Sequence, residues 1–447
     1  MKLKRAARIA VVLTAACGVG LNGAGAVAAT QTVAWGTTPS APAGALGELF
    51  GVAAASRAEV LAVGGYNPGQ PPTAVLTRPY AEHWNGTGWS ATRIPLGPVY
   101  PSAVQAAQLN GVAAAGPGDG WAVGTVSDTS SVASQTLAYH WDGTAWKRSP
   151  TPDPAGPARG NALAAVAARN TADVWAVGGN GYPTASLVLH WDGRAWRQVS
   201  VPDIGGLDAV TTAQGRVWVA GGDRVEQFDG TAWTSLPNLP VPVQDFVSIA
   251  GLADTPGGLW AAGALDYTCG EGQVCTASYA ALWNGTTWTM APAGGGTGLS
   301  GVAATGSTVL ATSATGVLRL SLTSASPQVT PAPNTLQLTA IGADPAGNPW
   351  AVGSIATQGR VRPAIINAPG IGQGGIIVTT GASGATVTWA GPVTGAGGTD
   401  PSGRFAVGGL PDGSYTVTAS LPGCRPGIAT ATVTAGNATT VSAHISC

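Results

Sequence analysis

One phrase recurs along this chain: Trp-Ala-Val-Gly, a variable stretch, then His-Trp-Asp-Gly, two residues and Trp. It occupies residues 121–124 with 140–146, and 175–178 with 190–196. Looser copies occupy 61–64 with 83–89, 218–221 with 227–233, and 260–263 with 282–288. A phrase returning at intervals of tens of residues marks a repeat architecture, in which one unit cannot bury its apolar face alone and stacks on its neighbours. A fainter phrase precedes each Trp-Ala-Val-Gly: an apolar residue, two spacers, an aliphatic residue and a small one. It begins at Leu49, Leu109, Leu163, Leu207, Phe246, Leu299 and Leu338, seven times in all.

Each repeat supplies four short strands: a from the faint phrase, b from WAVG, c ending in His-Trp, and d opening on the second Trp. Acids such as Glu59, Asp119 and Asp173 stand in the turn between a and b. Four antiparallel strands taken seven times predict an all-β chain built as a seven-bladed β-propeller over residues 30–369. The dipeptides Asn85-Gly86, Asp142-Gly143, Asp192-Gly193, Asp229-Gly230 and Asn284-Gly285 predict two-residue type I′ turns between c and d. Such a turn sets Trp84 opposite Thr87 and Trp89 opposite Glu82, with the indoles ~7–8 Å apart as diagonal neighbours on one face. It turns His83, His140 and His190 to the other face, opposite Gly88, Ala145 and Ala195, with room to pack on the next blade. The seventh repeat has no Trp-bearing strand d after 350–353 and 363–367, and residues 32–39 (TVAWGTTP) read as the missing one. Borrowing it closes the ring and removes open sheet edges.

With these motifs the repeat region resembles bacterial secreted propellers with Trp-rich WAVG and HWDGxxW repeats, and more loosely the kelch propellers. The resemblance implies the ring but no activity, since propellers reuse one frame for unrelated functions.

Residues 1–29 begin basic (Lys2, Lys4, Arg5, Arg8), continue through an apolar run and exit on small residues, which is the pattern of a secretory signal peptide. Cys17 sits in that run after Leu13, Thr14, Ala15 and Ala16, so a lipid anchor at the cell surface is the alternative to free secretion. Removal of the signal leaves 16 basic residues against 21 acidic. With no basic patch, nucleic acid is not an expected partner. No later apolar stretch reaches the length of a membrane span. Four cysteines remain, an even number in an oxidising compartment. Cys269 with Cys275 and Cys424 with Cys447 are the economical disulfides.

In an up-and-down blade the a–b and c–d turns share one face of the disc, and the b–c and d–a connections share the other. Here the first set is short and repetitive. The second is long and varied, at about 65–79, 125–136, 179–186 and 264–279 for b–c and 95–108 and 149–161 for d–a. A binding surface belongs on such a rim. Tyr267 and Tyr279 flank the loop that Cys269 and Cys275 pin.

From residue 370 the repeats give way to alternating Val and Thr. The run TDPSGRFAVGGLPDGSYTV at 399–417 resembles the carboxypeptidase regulatory-like domain, a small transthyretin-like β-sandwich also grouped with carbohydrate-binding-like folds. Phe405, Leu410 and Tyr415 are its expected core anchors, and Cys424–Cys447 ties down a domain too small for a large core. The expected organisation is a signal at 1–29, a propeller at 30–369 and a sandwich at 370–447.

Repetition argues against catalysis. His83, His140 and His190 sit at equivalent blade positions around a ring, whereas metal ligands converge on one ion. Asp142, Asp192 and Asp229 read as turn formers. Glycoside chemistry needs two convergent carboxylates; Asp223, Glu226, Asp245, Asp254 and Asp266 are the acids outside the repeated turns. No catalytic, cofactor-binding or metal-ligating residue is assigned. The reading is a monomeric, extracellular, non-enzymatic protein binding a glycan or protein. A cell-envelope scaffold is one alternative, and a polysaccharide-active hydrolase or lyase another.

Overall fold

The computed structural model describes residues 36–38 and 46–447, apart from 68–77, 93, 97–105, 129–132, 157–158, 243, 271, 295, 315, 323–327, 332–335, 346, 358–359, 368–373, 393, 400–401, 411–412 and 434–437. The expected signal peptide, Cys17 and Trp35 lie outside these residues.

The described residues are all-β. A leading strand, β1 (Gly36–Thr38), is followed by a first sheet of β2 (Leu46–Ser56), β3 (Glu59–Asn67), β4 (Arg78–Trp84) and β5 (Trp89–Thr92). The second sheet is β6 (Ala106–Gly116), β7 (Asp119–Ser127), β8 (Ser134–Trp141) and β9 (Trp146–Arg148); the third is β10 (Asn161–Asn170), β11 (Asp173–Asn180), β12 (Ala185–Trp191) and β13 (Trp196–Val199). The fourth comprises β14 (Ala209–Ala213), β15 (Arg216–Gly221), β16 (Arg224–Phe228) and β17 (Trp233–Ser235), and the fifth β18 (Phe246–Thr255), β19 (Gly258–Thr268), β20 (Val274–Trp283) and β21 (Trp288–Met290). The sixth is β22 (Leu299–Thr305), β23 (Thr308–Ser313), β24 (Gly316–Leu320) and β25 (Gln328–Pro331). The next contains β26 (Leu336–Ala343), β27 (Pro349–Thr357) and β28 (Arg360–Asn367), and its fourth strand is β1, antiparallel to β28 with Thr37 opposite Ile366. The borrowed N-terminal strand is therefore in place.

These sheets form a β-propeller. Each b strand is apolar without alternation, because both of its faces are covered by neighbouring sheets; Trp121, Ala122 and Val123 are all buried. One apolar cluster fills each gap. Leu61 and Val63 of the first sheet pack with Leu109, Trp141 and Trp146 of the second. At the closure, Trp350, Val352 and Ile365 meet Leu49, Val60 and Tyr80. The Trp of WAVG is the wedge. Trp121 lies 4.7 Å from Trp191 and 5.1 Å from Trp196 of the third sheet, and Trp350 lies 5.7 Å from both Trp84 and Trp89 of the first. The Gly of WAVG has a separate cause. Strand a carries a bulge between Leu109 and Gly111, and a Cβ on Gly124 would be driven into the carbonyl of Gln108.

The c–d hairpins differ from the expected register. Trp84 pairs directly with Trp89, Trp141 with Trp146 and Trp191 with Trp196, while His83, His140 and His190 face Ser90, Lys147 and Arg197. The indoles still share a face, 5.5–6.0 Å apart. The loop is four residues long because the leading acid or amide closes it. Asp142 Oδ1 accepts from the Thr144 and Ala145 amides at 3.0 and 2.9 Å and from the Thr144 hydroxyl at 2.7 Å. Only the glycine is left-handed (Gly143 φ 87°), whereas a type I′ turn needs two such residues.

Two further expectations are corrected. In the fifth repeat the bulge lies between Ile249 and Gly251, so Ile249 is the counterpart of Leu109, and Phe246, 76% exposed, lies outside the phrase. Residues 264–279 are a strand pair carried outward, with Asp266 opposite Thr276 and Tyr267 opposite Cys275, rather than an irregular loop. The Cys269–Cys275 disulfide closes its tip, where the Cys269 amide donates to the Gln273 carbonyl. Tyr279 is buried on this hairpin, donating its hydroxyl to Pro240; Tyr267 alone of the flanking pair is exposed.

In the tail, β29 (Gly374–Thr379), β30 (Thr386–Ala390), β31 (Thr394–Gly398), β32 (Arg404–Leu410), β33 (Gly413–Ser420), β34 (Gly427–Val433) and β35 (Ala438–Ser442) form two sheets, ordered β32-β29-β35 and β31-β30-β33-β34. Tyr415, Val417 and Leu410 are buried between them and Phe405 packs alongside. Cys424 and Cys447 are bonded, beside the bridge from Arg425 to Ser446.

Candidate functional site

The recurring histidines serve the frame. His190 Nε2 lies 2.9 Å from Asp173 Oδ1 and its ring stacks 4.3 Å from Trp175, the WAVG Trp of its own sheet. His140 repeats this with Asp119 at 3.2 Å and Trp121 at 4.7 Å. His83 has Leu61 where the others have Trp, and it leans onto Trp141 of the second sheet at 5.0 Å. Burial lowers its pKa, against a raising influence from Glu59. The acid between strands a and b clamps the His in the second and third sheets, and in the third Trp175 Nε1 also donates to Asp173 at 2.7 Å.

The acids outside the repeated turns do not converge. Glu226 is buried and takes the Ser235 hydroxyl on both oxygens. Asp223 accepts from Asn238 and Asp266 from Thr276. Asp254 stands at the a–b end of the fifth sheet, where burial raises its pKa despite a hydrogen bond from Gln214. Asp245 begins the chain into β18 and donates its amide to Pro242.

The two faces of the disc are chemically different. One carries the uniform Asp-Gly and Asn-Gly turns, each bonded to itself. The other carries the connections of unequal length, and there stand Tyr182 (93% exposed), Phe246 and Val274. Over the fourth sheet this rim drops, since only Gly222 and Asp223 join β15 to β16. The hairpin of the fifth sheet and the 181–184 turn of the third flank the gap.

At the axis, a central cavity of about 180 Å³ is lined by the two spacers and the aliphatic residue of each copy, the first spacers being Phe50, Asn110, Ala164, Asp208, Ala250, Ser300 and Thr339. A second cavity, about 270 Å³, lies over the second to fourth sheets and shares Asn110, Ala164 and Asp208 with the first. Among the described residues, Asp208 is the one charged residue lining either. Its side chain is exposed at the cavity, yet the surrounding protein desolvates it and raises its pKa. The sequence reading passed over this ring because it treated the spacers of the faint phrase as anonymous. A bulge follows the leading residue in six of the sheets, and in the fourth Asp208 precedes β14 at the corresponding position.

No helix among the described residues is long and apolar enough to cross a membrane. No curated protein matches the chain in sequence. Among solved structures it is similar to YCF48 from Cyanidioschyzon merolae (13% identity over 75% of this chain and 98% of that one, TM-score 0.47). It is also similar to a catalytically inactive virginiamycin B lyase from Staphylococcus aureus with quinupristin (11%, 75% and 99%, 0.48) and to the WD40 propeller domain of Doa1 (11%, 74% and 97%, 0.40). These similarities bear on no function. Residues 373–446 match the carboxypeptidase regulatory-like domain, and the C-terminal segment of the chain is such a domain.

Proposed function

We propose that the protein is a secreted, non-enzymatic binding protein, a closed seven-bladed ring that presents its variable face to an extracellular glycan or protein. The observation that carries this reading is the asymmetry between the faces. One is paved by turns that satisfy their own hydrogen bonds; the other holds Tyr182 and Phe246 in the open, and Gly181, next to Tyr182, lines the larger cavity. Aromatic side chains on a rigid frame offer apolar area at low entropic cost and suit flat, amphipathic ligands. The pattern of residues 1–29 and the two short-range disulfides support export to an oxidising compartment. The hydrogen-bonded, structural placement of the acids supports a role without turnover.

The test uses residues 30–447 against a glycan array, insoluble cell-wall polysaccharides and an extracellular protein panel. A double variant, Tyr182→Ala with Phe246→Ala, is expected to lose about tenfold or more in affinity, because exposed aromatic anchors dominate such contacts, with no drop in melting temperature. Unchanged binding by the variant would remove the rim from the account and turn attention to residues 374–447.

A further inference from the structure

The ring of axial residues differs in one chemical respect at the fourth sheet. Asn110, Ser300 and Thr339 each donate to the carbonyl of the leading apolar residue in the next sheet: Asn110 Nδ2 to Leu163 at 2.8 Å, Ser300 Oγ to Leu338 at 2.8 Å, and Thr339 Oγ1 to Leu49. Asp208 holds the same position before Ile249 of the fifth sheet. An ionised carboxylate has no hydrogen to give, so a position that supplies a donor in three other sheets here supplies a second acceptor. Among the described residues, no group donates to the Asp208 carboxylate and no side chain donates to the Ile249 carbonyl. Among the described residues, the cavity above is lined by no other charged group.

We propose that this cavity binds a glycan unit bearing a free amine, an aminohexose, with its ammonium on Asp208. The inference rests on reading this face as the binding surface and names the ligand's chemistry. Three features fit. An ammonium brings three donors and one positive charge to a site whose one carboxylate carries a negative charge and takes no donor from the described residues. About 270 Å³ is room for a single sugar ring rather than a chain. Thr184, Ser134 and Asn110 line it, polar side chains that suit ring hydroxyls. A calcium ion takes six to eight oxygens, typically from several carboxylates, and a single one is too few.

The test compares glucosamine oligomers, their N-acetylated counterparts and glucose oligomers by calorimetry on residues 30–447, with Asp208→Asn as the variant. That substitution is the residue the second sheet already uses, so the ring is expected to fold and to melt no lower than wild type. The expected result is binding of the free-amine oligomer, weakened at least tenfold in Asp208→Asn and at least tenfold in the wild type on acetylation. Equal binding of acetylated and free-amine sugars, or binding indifferent to Asp208→Asn, overturns the inference and leaves the glycan-binding reading standing. Asp208-dependent capture of an oligolysine peptide without any sugar binding overturns the sugar assignment. No binding to any glycan or protein by either form defeats the inference and the broader reading together.

Discussion

Two aspartates show how one side chain takes opposite roles in this frame. Burial works to raise the Asp173 carboxyl, but hydrogen bonds from His190 and Trp175, with Arg169 nearby, outweigh it and hold it below the ordinary value. A depressed carboxyl stabilises the fold above its unfolded-state pKa, and that contribution is lost as pH falls through the folded value. Asp173→Ala should cost about 1–3 kcal/mol near neutral pH, since it orphans the buried Trp175 N–H. Asp119→Ala should cost less, because Trp121 Nε1 already has no partner. Thermal melts of the two variants test the ordering; equal losses would deny the clamp. Asp208 has the opposite sign. Its raised pKa means that the native state holds the proton more tightly, so stability declines as pH rises from about 4 through the folded value. Asp208→Asn should therefore melt higher than wild type near neutral pH, with the gap closing toward pH ~3. A gap that does not change with pH would remove the carboxylate from the explanation.

At the scale of the element, the hairpins and bulges divide the work of glycine. Gly143 is left-handed at the tip of a c–d turn, while Gly124 has an ordinary backbone but sits under the carbonyl of the bulged strand a. Gly143→Ala should cost about 1–2 kcal/mol, the strain of a left-handed residue with a Cβ. Gly124→Ala must push two backbones apart and should cost more. Urea midpoints at unchanged slope measure both, and an equal cost would mean that the bulge gives way freely. The existence and order of the strands were legible because WAVG and HWDGxxW have fixed spacing. The hairpin register was not, since an Asp or Asn before Gly serves both a type I′ turn and a four-residue loop closed by its own side chain. The shift of the fifth repeat was missed for a related reason: Phe246 and Ile249 both satisfy the same short apolar pattern, and only pairing with Gly263 selects Ile249.

At the scale of the molecule, closure depends on β1 against β28 and on Trp350 between Trp84 and Trp89. Removing residues 30–45 leaves β28 as an open edge, a template for pairing with a second chain. The truncated protein should melt lower and show concentration-dependent self-association in sedimentation; a monomer of unchanged stability would show that closure contributes little. The candidate site belongs to this scale as well. Asn110, Asp208, Thr184 and Ser134 come from three sheets and meet over one cavity, a juxtaposition invisible in any single repeat.

The sequence by itself determined the class of fold, the four strands of each unit, the borrowed first strand, the cysteine pairs and the separate tail. These follow from local patterns: period, turn residues and spacing. Only the tertiary structure decided which residues line the axial cavity, which tyrosine is exposed and where a carboxylate without a donor stands. Those outcomes depend on a one-residue bulge and on how neighbouring sheets cover one another. A single residue of register exchanges inside for outside on a strand, and no local pattern records which neighbour fills the space.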